Sequence, residues 1–353
     1  MRRTTIADVA KHAGVGKVTV SYVLNGQSRT ARISEETEKK VLRCAEELGY
    51  RPNALARMLV TQRSDALAVV FQYGAFFSAL SSFTSEAMRG VCAACVESGF
   101  DLMLHTKAAD DPIHEACALM DGRVDGVLML RDRDDPAMAE VVAHKFPCVL
   151  FFTRSDDPHV PFVDSDNYAG GRMATSHLLE LGHQKIGMVI GPAGSVAAGD
   201  RFNGYRNALE SAGIELRPDY VVSGVGIDPT DFIKLITRED RPTALFVWSD
   251  DDAFICMQTA IELGLSIPED LSIVGYDSSE ACERSKPALT SVRQPVFDMA
   301  HAATRLLVSL VRGTPVERTR IVFPPDLDVR GSTAPFGDSF NSHRRGHLSH
   351  ASH

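Results

Sequence analysis

Lys17, Val18, Thr19, Ser21, Tyr22 and Asn25 fall within nine consecutive residues. Together they hold the donors, acceptors and methyl surface that reading a base edge requires. A lysine donates to guanine or to a phosphate, a valine packs on a thymine methyl, and a tyrosine does either. The flanking residues decide whether these side chains share a face. Thr5-x-x-Asp8 is a capping pattern, so a helix starts at Ile6 and runs to Ala13. Gly14 ends it, because glycine takes a left-handed backbone without steric cost. Val15 turns inward, and a second helix starts near Lys17. Ala10, Val15, Val20 and Val23 then form the seam between the helices, leaving Lys17, Val18, Ser21 and Tyr22 outside. This is the outline of a helix-turn-helix, whose second helix enters the major groove of double-stranded DNA.

Competing chemistries find little in the chain. There is no Gly-rich phosphate loop, nucleophile elbow or His-x-x-x-His zinc pattern, so no enzyme is expected. Cysteines occur at 44, 92, 95, 117, 148, 256 and 282, an odd number at irregular spacing, and read as reduced thiols. Cys92-x-x-Cys95 has no second ligand pair near it and lies in an amphipathic stretch, so it reads as core. No metal site and no cofactor are expected.

Charge divides the molecule. The net charge of −9 hides a basic head, residues 1–60, with eleven Lys+Arg against six Asp+Glu. The remaining residues hold 26 against 40. A basic head on an acidic body suits a protein that touches phosphates with one end. No apolar run approaches the ~18 residues of a membrane span, so no membrane partner is expected. The start has no signal-peptide core, so a cytoplasmic protein is expected.

Behind the head, Ser34 caps a third helix, Glu35 to Leu48, with Val41, Leu42, Ala45 and Leu48 at helical spacing. Pro52 stops continuation, and Asn53 caps a helix of barely two turns, too short to stand without a partner. From Ala66 the texture changes. Ala66–Phe71, Phe100–His105, Gly126–Leu130 and Cys148–Phe152 read as buried parallel strands, with helices at about 79–98, 112–121 and 136–145 between them. The pattern restarts with strands at Ile186–Ile190, Ala244–Trp248 and Leu271–Tyr276, and helices at about 168–181, 201–212, 229–237 and 251–263. Two such series imply two α/β lobes with parallel sheets and helices on both faces, and the crevice between them is the default ligand site. Phe76 and Phe77 follow the first strand and could line it. The tail, 334–353, lacks apolar periodicity and reads as disordered.

Thr5-Ile6-Ala7-Asp8-Val9-Ala10, Ala13-Gly14-Val15, Thr19-Val20-Ser21 and Val23-Leu24-Asn25 resemble the head of the LacI/GalR family of bacterial transcription regulators. Further blocks agree in register: Asp166-Asn167-x-x-Gly170-Gly171, Arg201-x-x-Gly204-Tyr205, Ile267 to Asp277, and Pro287 to Val292. The resemblance covers about residues 5–332. It implies an N-terminal all-α helix-turn-helix domain (1–49), a hinge helix and linker (50–64), and a two-lobe periplasmic-binding-protein-like core (65–333). The N-lobe would comprise about 65–163 and 293–323, and the C-lobe about 164–291 and 325–333, with crossings near 163, 292 and 324.

The same resemblance implies site residues. DNA contacts fall to Thr5, Lys17, Val18, Thr19, Ser21, Tyr22 and Asn25, joined by Asn53, Ala56 and Leu59 in the hinge, where Leu59 would wedge a minor-groove step. Effector contacts fall to Arg201 and Asp277, with Phe76, Phe77, Trp248 and Ser249 beside them. The aromatic residues fit core packing as well, and Arg201 fits an ion pair between lobes as well. Two departures matter: Gly16 replaces a common serine, and Tyr22 a frequent arginine. The implied protein is a homodimeric repressor controlled by a small molecule, a sugar, sugar acid or purine. An exported solute-binding protein shares the body but not the basic head.

Overall fold

The computed structural model describes residues 4–51, 58, 61–71, 82–106, 111–132, 134–224 and 229–337. Asn53, Ala56 and Leu59 of the expected hinge, the Phe76–Phe77 pair, and the tail from 338 lie outside the described residues. The chain divides into two units, Met1–Ser64 and Asp65–His353.

The first unit carries α1 (Ile6–Ala13), α2 (Lys17–Leu24) and α3 (Glu35–Glu47). Thr5 and Asp8 form the reciprocal cap: the Asp8 amide donates to Thr5 Oγ1 at 3.4 Å and the Thr5 amide to Asp8 Oδ2 at 2.9 Å. Gly14 takes φ +67°, a backbone that a side chain would strain. Val9, Ala13, Val20 and Val41 are fully buried where the three helices meet, with Cys44 and Ala45 beside them. Val15 is partly buried against this core, as is Leu48. Leu42 departs from expectation at 47% exposed. The seam of α3 runs through 41, 44, 45 and 48, and position 42 lies about 100° round the helix from Val41.

The second unit holds two six-stranded sheets. The first runs β11-β5-β4-β3-β1-β2, from β1 (Ala66–Phe71), β2 (Asp101–His105), β3 (Gly126–Leu130), β4 (Cys148–Phe151), β5 (Phe162–Ser165) and β11 (Arg320–Phe323). All its pairings are parallel. Successive residues of β1 serve opposite faces, as the two-residue period of a strand requires. Leu67, Val69 and Phe71 pack under α4 (Ser82–Ser98) and α12 (Val296–Arg312). Ala68 and Val70 pack against α5 (Pro112–Leu119) and α6 (Pro136–Ala143). Cys95 joins the first of these cores, whereas Cys92 is exposed; both are free thiols.

The second sheet runs β12-β10-β9-β8-β6-β7, from β6 (Ile186–Ile190), β7 (Val221–Ser223), β8 (Ala244–Val247), β9 (Ser272–Asp277), β10 (Thr290–Arg293) and β12 (Asp326–Asp328). Only β12 is antiparallel. α7 (Asn167–Glu180) and α8 (Val196–Ser211) cover one face. α9 (Thr230–Thr237) and α10 (Asp250–Glu262) cover the other, and α11 (Ala281–Arg284) follows β9. The chain passes between the sheets after Ser165, after Arg293, and between Phe323 and Asp326.

Two features correct the sequence reading. α8 starts at Val196, not near 201, because Ser195 caps it by accepting from the Ala198 amide at 3.3 Å. Arg201 therefore sits in its second turn. Residues 296–312, given no element from sequence, form a helix of 17 residues.

Candidate functional site

Two surfaces gather the residues singled out from sequence. The first is the outer face of α2. Val18 is 67% exposed and Tyr22 41%, one turn apart, with Lys17 exposed beside them. An exposed valine and tyrosine on a small helical unit contribute nothing to its core and are placed to meet a partner. Asn25 is also exposed and donates to Ser21 Oγ at 3.3 Å. Thr19 and Ser21 are half-buried. The Thr5 hydroxyl is engaged with Asp8 in the cap of α1. Gly16 gives α2 no side-chain cap, so its first-turn amides lack a side-chain acceptor at the N-cap, which suits an anion such as a phosphate.

The second surface lies in the body, at the carboxyl ends of the strands. Arg201 is 4% exposed. Its Nε donates to Asn167 Oδ1 at 2.9 Å, its Nη1 donates to the Trp248 carbonyl, and its guanidinium lies 3.5 Å from the centre of the Tyr276 ring. Among the described residues it forms no ion pair, so it is not the interlobe salt bridge that the sequence also allowed. Asp277 follows Tyr276 at the end of β9. Its φ of +107° is rare for a residue with a side chain, and such strain persists only where surroundings enforce it. The enforcement comes from Asp250, which is 1% exposed. Asp250 accepts from the Ser279 amide at 2.7 Å and the Ser291 hydroxyl at 2.6 Å, and Ser291 accepts from the Ser278 amide at 3.0 Å. Gln294 Nε2 donates to Asp277 Oδ1 at 2.6 Å. Burial pushes the Asp277 carboxyl upward, and Arg201 opposes that rise.

Trp248 is half-buried, donates Nε1 to Asp252 and packs against Gly191, where a Cβ would meet the indole at 2.4 Å. It is neither pure core nor fully exposed. Ser249 caps α10 by accepting from the Asp252 amide at 3.2 Å, so its oxygen serves the helix first. Asn167, Asp250 and Gln294 were not singled out from sequence. Asn167 stands inside the Asp166-Asn167 block, and Asp250 directly follows Ser249.

The lobes touch beside Arg201. Arg154, just past β4 in one lobe, pairs with Asp200 of α8 in the other and with Asp164 of β5 at 3.3 Å. Asp164 Oδ1 accepts from Asn167 Nδ2 at 3.1 Å. A continuous chain of charge-assisted bonds thus runs Asp200–Arg154–Asp164–Asn167–Arg201. Burial pushes the Asp164 carboxyl up to about 6; the Ser165 amide and Arg154 pull it down, and Asp200 adds to the rise. The sign for stability follows. Between the ordinary value of about 4 and about 6, the folded body holds a proton that the unfolded chain has released. That contribution is fully present below about pH 4 and is lost as pH rises through about 6. Asp164→Asn should therefore flatten a slope on the order of 2–3 kcal/mol in urea unfolding of the body between about pH 4 and 8. A slope that survives the substitution would clear Asp164 of responsibility.

Both surfaces lie largely in segments that match known protein families. Residues 5–53 match the model of bacterial regulatory proteins of the lacI family, and residues 175–333 match a periplasmic binding protein-like domain. The HTH-type transcriptional regulator CelR of Thermobifida fusca is 36% identical over 344 residues, covering 94% of this chain and 98% of CelR. The chain belongs to the LacI family. The HTH-type transcriptional repressor PurR of Aliivibrio salmonicida is 33% identical, with 93% and 98% covered. Among solved structures, a CelR–cellobiose complex matches at TM-score 0.69 and 34% identity, covering 94% of this chain and all of that one. The lac repressor dimer bound to operator and the anti-inducer ONPF matches at TM-score 0.79 and 26% identity, with the same coverage. As a LacI-family member the chain is a DNA-binding transcriptional regulator, and α1 and α2 lie within the segment that matches the lacI family. No helix among the described residues is long and apolar enough to cross a membrane.

Proposed function

We propose that this regulator is a cytoplasmic homodimeric repressor, without enzymatic activity, whose hold on its operator is set by a sugar-class ligand between the lobes. The observation that carries the reading is that Arg201 lies over the Tyr276 ring while Asp277 directly follows Tyr276 at the end of β9. Arg201 is held flat with Nε and Nη1 engaged, which leaves Nη2 to donate. Asp277 has Oδ1 held by Gln294, which leaves Oδ2 to accept. One donor and one acceptor on rigid supports suit adjacent hydroxyls, with the half-buried Trp248 indole as an apolar wall. The CelR relative solved with cellobiose and the lac repressor solved with ONPG support the same class. Phe76 and Phe77 are assigned to this site only because they follow the first strand in sequence.

Residues 1–49 form the DNA-binding domain in this proposal, 50–64 the hinge, and 65–333 the effector-binding and dimerisation core. Lys17, Val18 and Tyr22 read bases; Thr5, Thr19, Ser21 and Asn25 position the helix; Asn53, Ala56 and Leu59 act from the hinge. Ligand binding changes operator affinity only through unequal affinity for two lobe arrangements.

The test is a titration of Trp248 fluorescence with cellobiose, monosaccharides, sugar acids and purine bases, followed by operator binding with any compound that responds. The chain has one tryptophan, so the signal has one source. Saturable binding of a sugar that shifts operator affinity is the expected result. A response to purines alone would overturn the sugar assignment. For the DNA face, Tyr22→Ala should relax preference at one base position by roughly 1–3 kcal/mol. Identical base preferences for parent and variant in a site selection would remove Tyr22 from the reading surface.

A further inference from the structure

The helical unit contains a cluster that DNA reading does not use. His12 lies in the last turn of α1, and Cys44 and Glu47 lie three residues apart on α3, so all three meet on the side where those helices cross. One ligand atom from each lies within 4.8 Å of the other two. His12 Nε2 and Glu47 Oε2 are 3.2 Å apart. Cys44 is 5% exposed, and its thiol makes no hydrogen bond among the described residues. The His12 and Glu47 side chains are about half exposed, at 50% and 51%. The group thus has a buried sulfur at its floor, an imidazole and a carboxylate at its rim, and an open approach from solvent.

We propose that His12, Cys44 and Glu47 bind one divalent transition-metal ion of the zinc class and clamp α1 to α3. The donor set selects the metal. Thiolate with imidazole and carboxylate suits Zn²⁺ or Co²⁺, whereas Mg²⁺ and Ca²⁺ take oxygen ligands. Bond lengths of about 2.0–2.3 Å put tetrahedral ligands roughly 3.3–3.7 Å apart. The site must therefore tighten by about 1 Å, which rotation of the two exposed rim side chains supplies without moving a helix. On binding, the Cys44 thiol gives its proton to solvent, the neutral imidazole donates through one ring nitrogen, and Glu47 exchanges His12 for the metal. Arg43 Nε, 3.7 Å from Glu47 Oε1, stays as a neighbour of the carboxylate's other oxygen. Water takes the fourth position. None of the ligands is on α2, so Val18 and Tyr22 remain available to DNA. The clamp would act where it is most needed, because a three-helix unit of this size buries a small core.

The test uses the full-length chain, stripped with chelator and titrated with Co²⁺. One equivalent should produce a near-ultraviolet thiolate-to-cobalt charge-transfer band, and Zn²⁺ should displace it. Cys44→Ser should abolish the band. His12→Gln and Glu47→Gln alter half-exposed positions without disturbing the core, and each should weaken Co²⁺ binding at least tenfold. A variant combining Cys92→Ser and Cys117→Ser, the two exposed thiols, should keep the band. No thiolate band at one equivalent would overturn the site, as would a band that survives Cys44→Ser and disappears with Cys92 and Cys117. Cobalt held only by the histidines of the tail lacks that band and counts equally against it.

Discussion

Replacing Arg201 by lysine should weaken binding of the sugar that the parent recognises by roughly 3 kcal/mol, more than a hundredfold. The substitution keeps the charge and removes the planar fork. Arg201 reaches Asn167 through Nε and the Trp248 carbonyl through Nη1, while its flat face covers Tyr276. A single ammonium cannot make two divergent bonds and stack on a ring at once, so the swap is not conservative here. It would also strand the Asn167 carbonyl or the Trp248 carbonyl inside the body, at a cost comparable to a lost hydrogen bond each. Fluorescence titration and operator binding with and without ligand should show the same pattern: the ligand-free variant still binds operator, and ligand no longer changes that binding. Parent-like affinity in the lysine variant would mean that charge alone is read, and that the Asn167–Arg201–Trp248 arrangement is incidental.

The second large effect involves no polar group. At Gly171 a Cβ would stand 2.1 Å from the Arg201 carbonyl oxygen and 2.8 Å from its carbonyl carbon and Cα. All three are backbone atoms, so no side chain can swing aside, and α7 and α8 must part. Overpacking usually costs about 1–3 kcal/mol, and contact with backbone puts Gly171→Ala at or beyond the top of that range. Thermal unfolding of the body should begin roughly 5–10 °C lower. Arg201 sits on the displaced turn, so ligand affinity should fall with stability. Gly199, on the same helix, is the control: a Cβ there meets nothing within 4 Å. Gly199→Ala should be neutral or stabilising by up to about 1 kcal/mol, as alanine suits a helix better than glycine. Equal midpoints for the two alanine variants would refute the close-approach account of Gly171.

Legibility in the sequence followed the range of the interactions involved. The helix-turn-helix was readable because its signals are local: a reciprocal cap at Thr5 and Asp8, a left-handed Gly14, and valines at helical spacing. The central strands were readable as apolar runs because both faces are covered. β5 was not, since its four residues, Phe-Val-Asp-Ser, include two buried polar side chains, of which Asp164 serves the lobe contact. The edge strands β7, β11 and β12 are three or four residues long and half exposed, so none carries an apolar run longer than three residues. α12 does carry helical spacing at 296, 299, 300, 303, 306 and 307. It begins after Pro295 with no side-chain cap to announce it. In the candidate effector site, Arg201 and Asp277 came from family resemblance, and the structure supplies the reason for their placement. The Arg154–Asp164–Asp200 contact joins residues up to 46 positions apart in two lobes, and nothing local marks it. His12 and Cys44 likewise meet only once three helices pack.

The three passages between the sheets have a consequence for synthesis. α12 and β11 complete the first sheet, yet both follow the whole run of β6 to β10 in the chain. The second sheet in turn waits for β12 at 326–328. A nascent chain leaving the ribosome therefore finishes its helical head early, then carries open sheets until residues 320–328 have been made. Through that interval β5 and β10 present unpaired edges, which invite pairing with other chains. Premature stops anywhere between about 170 and 320 should thus yield a folded DNA-binding head attached to an aggregation-prone body, not a smaller working protein.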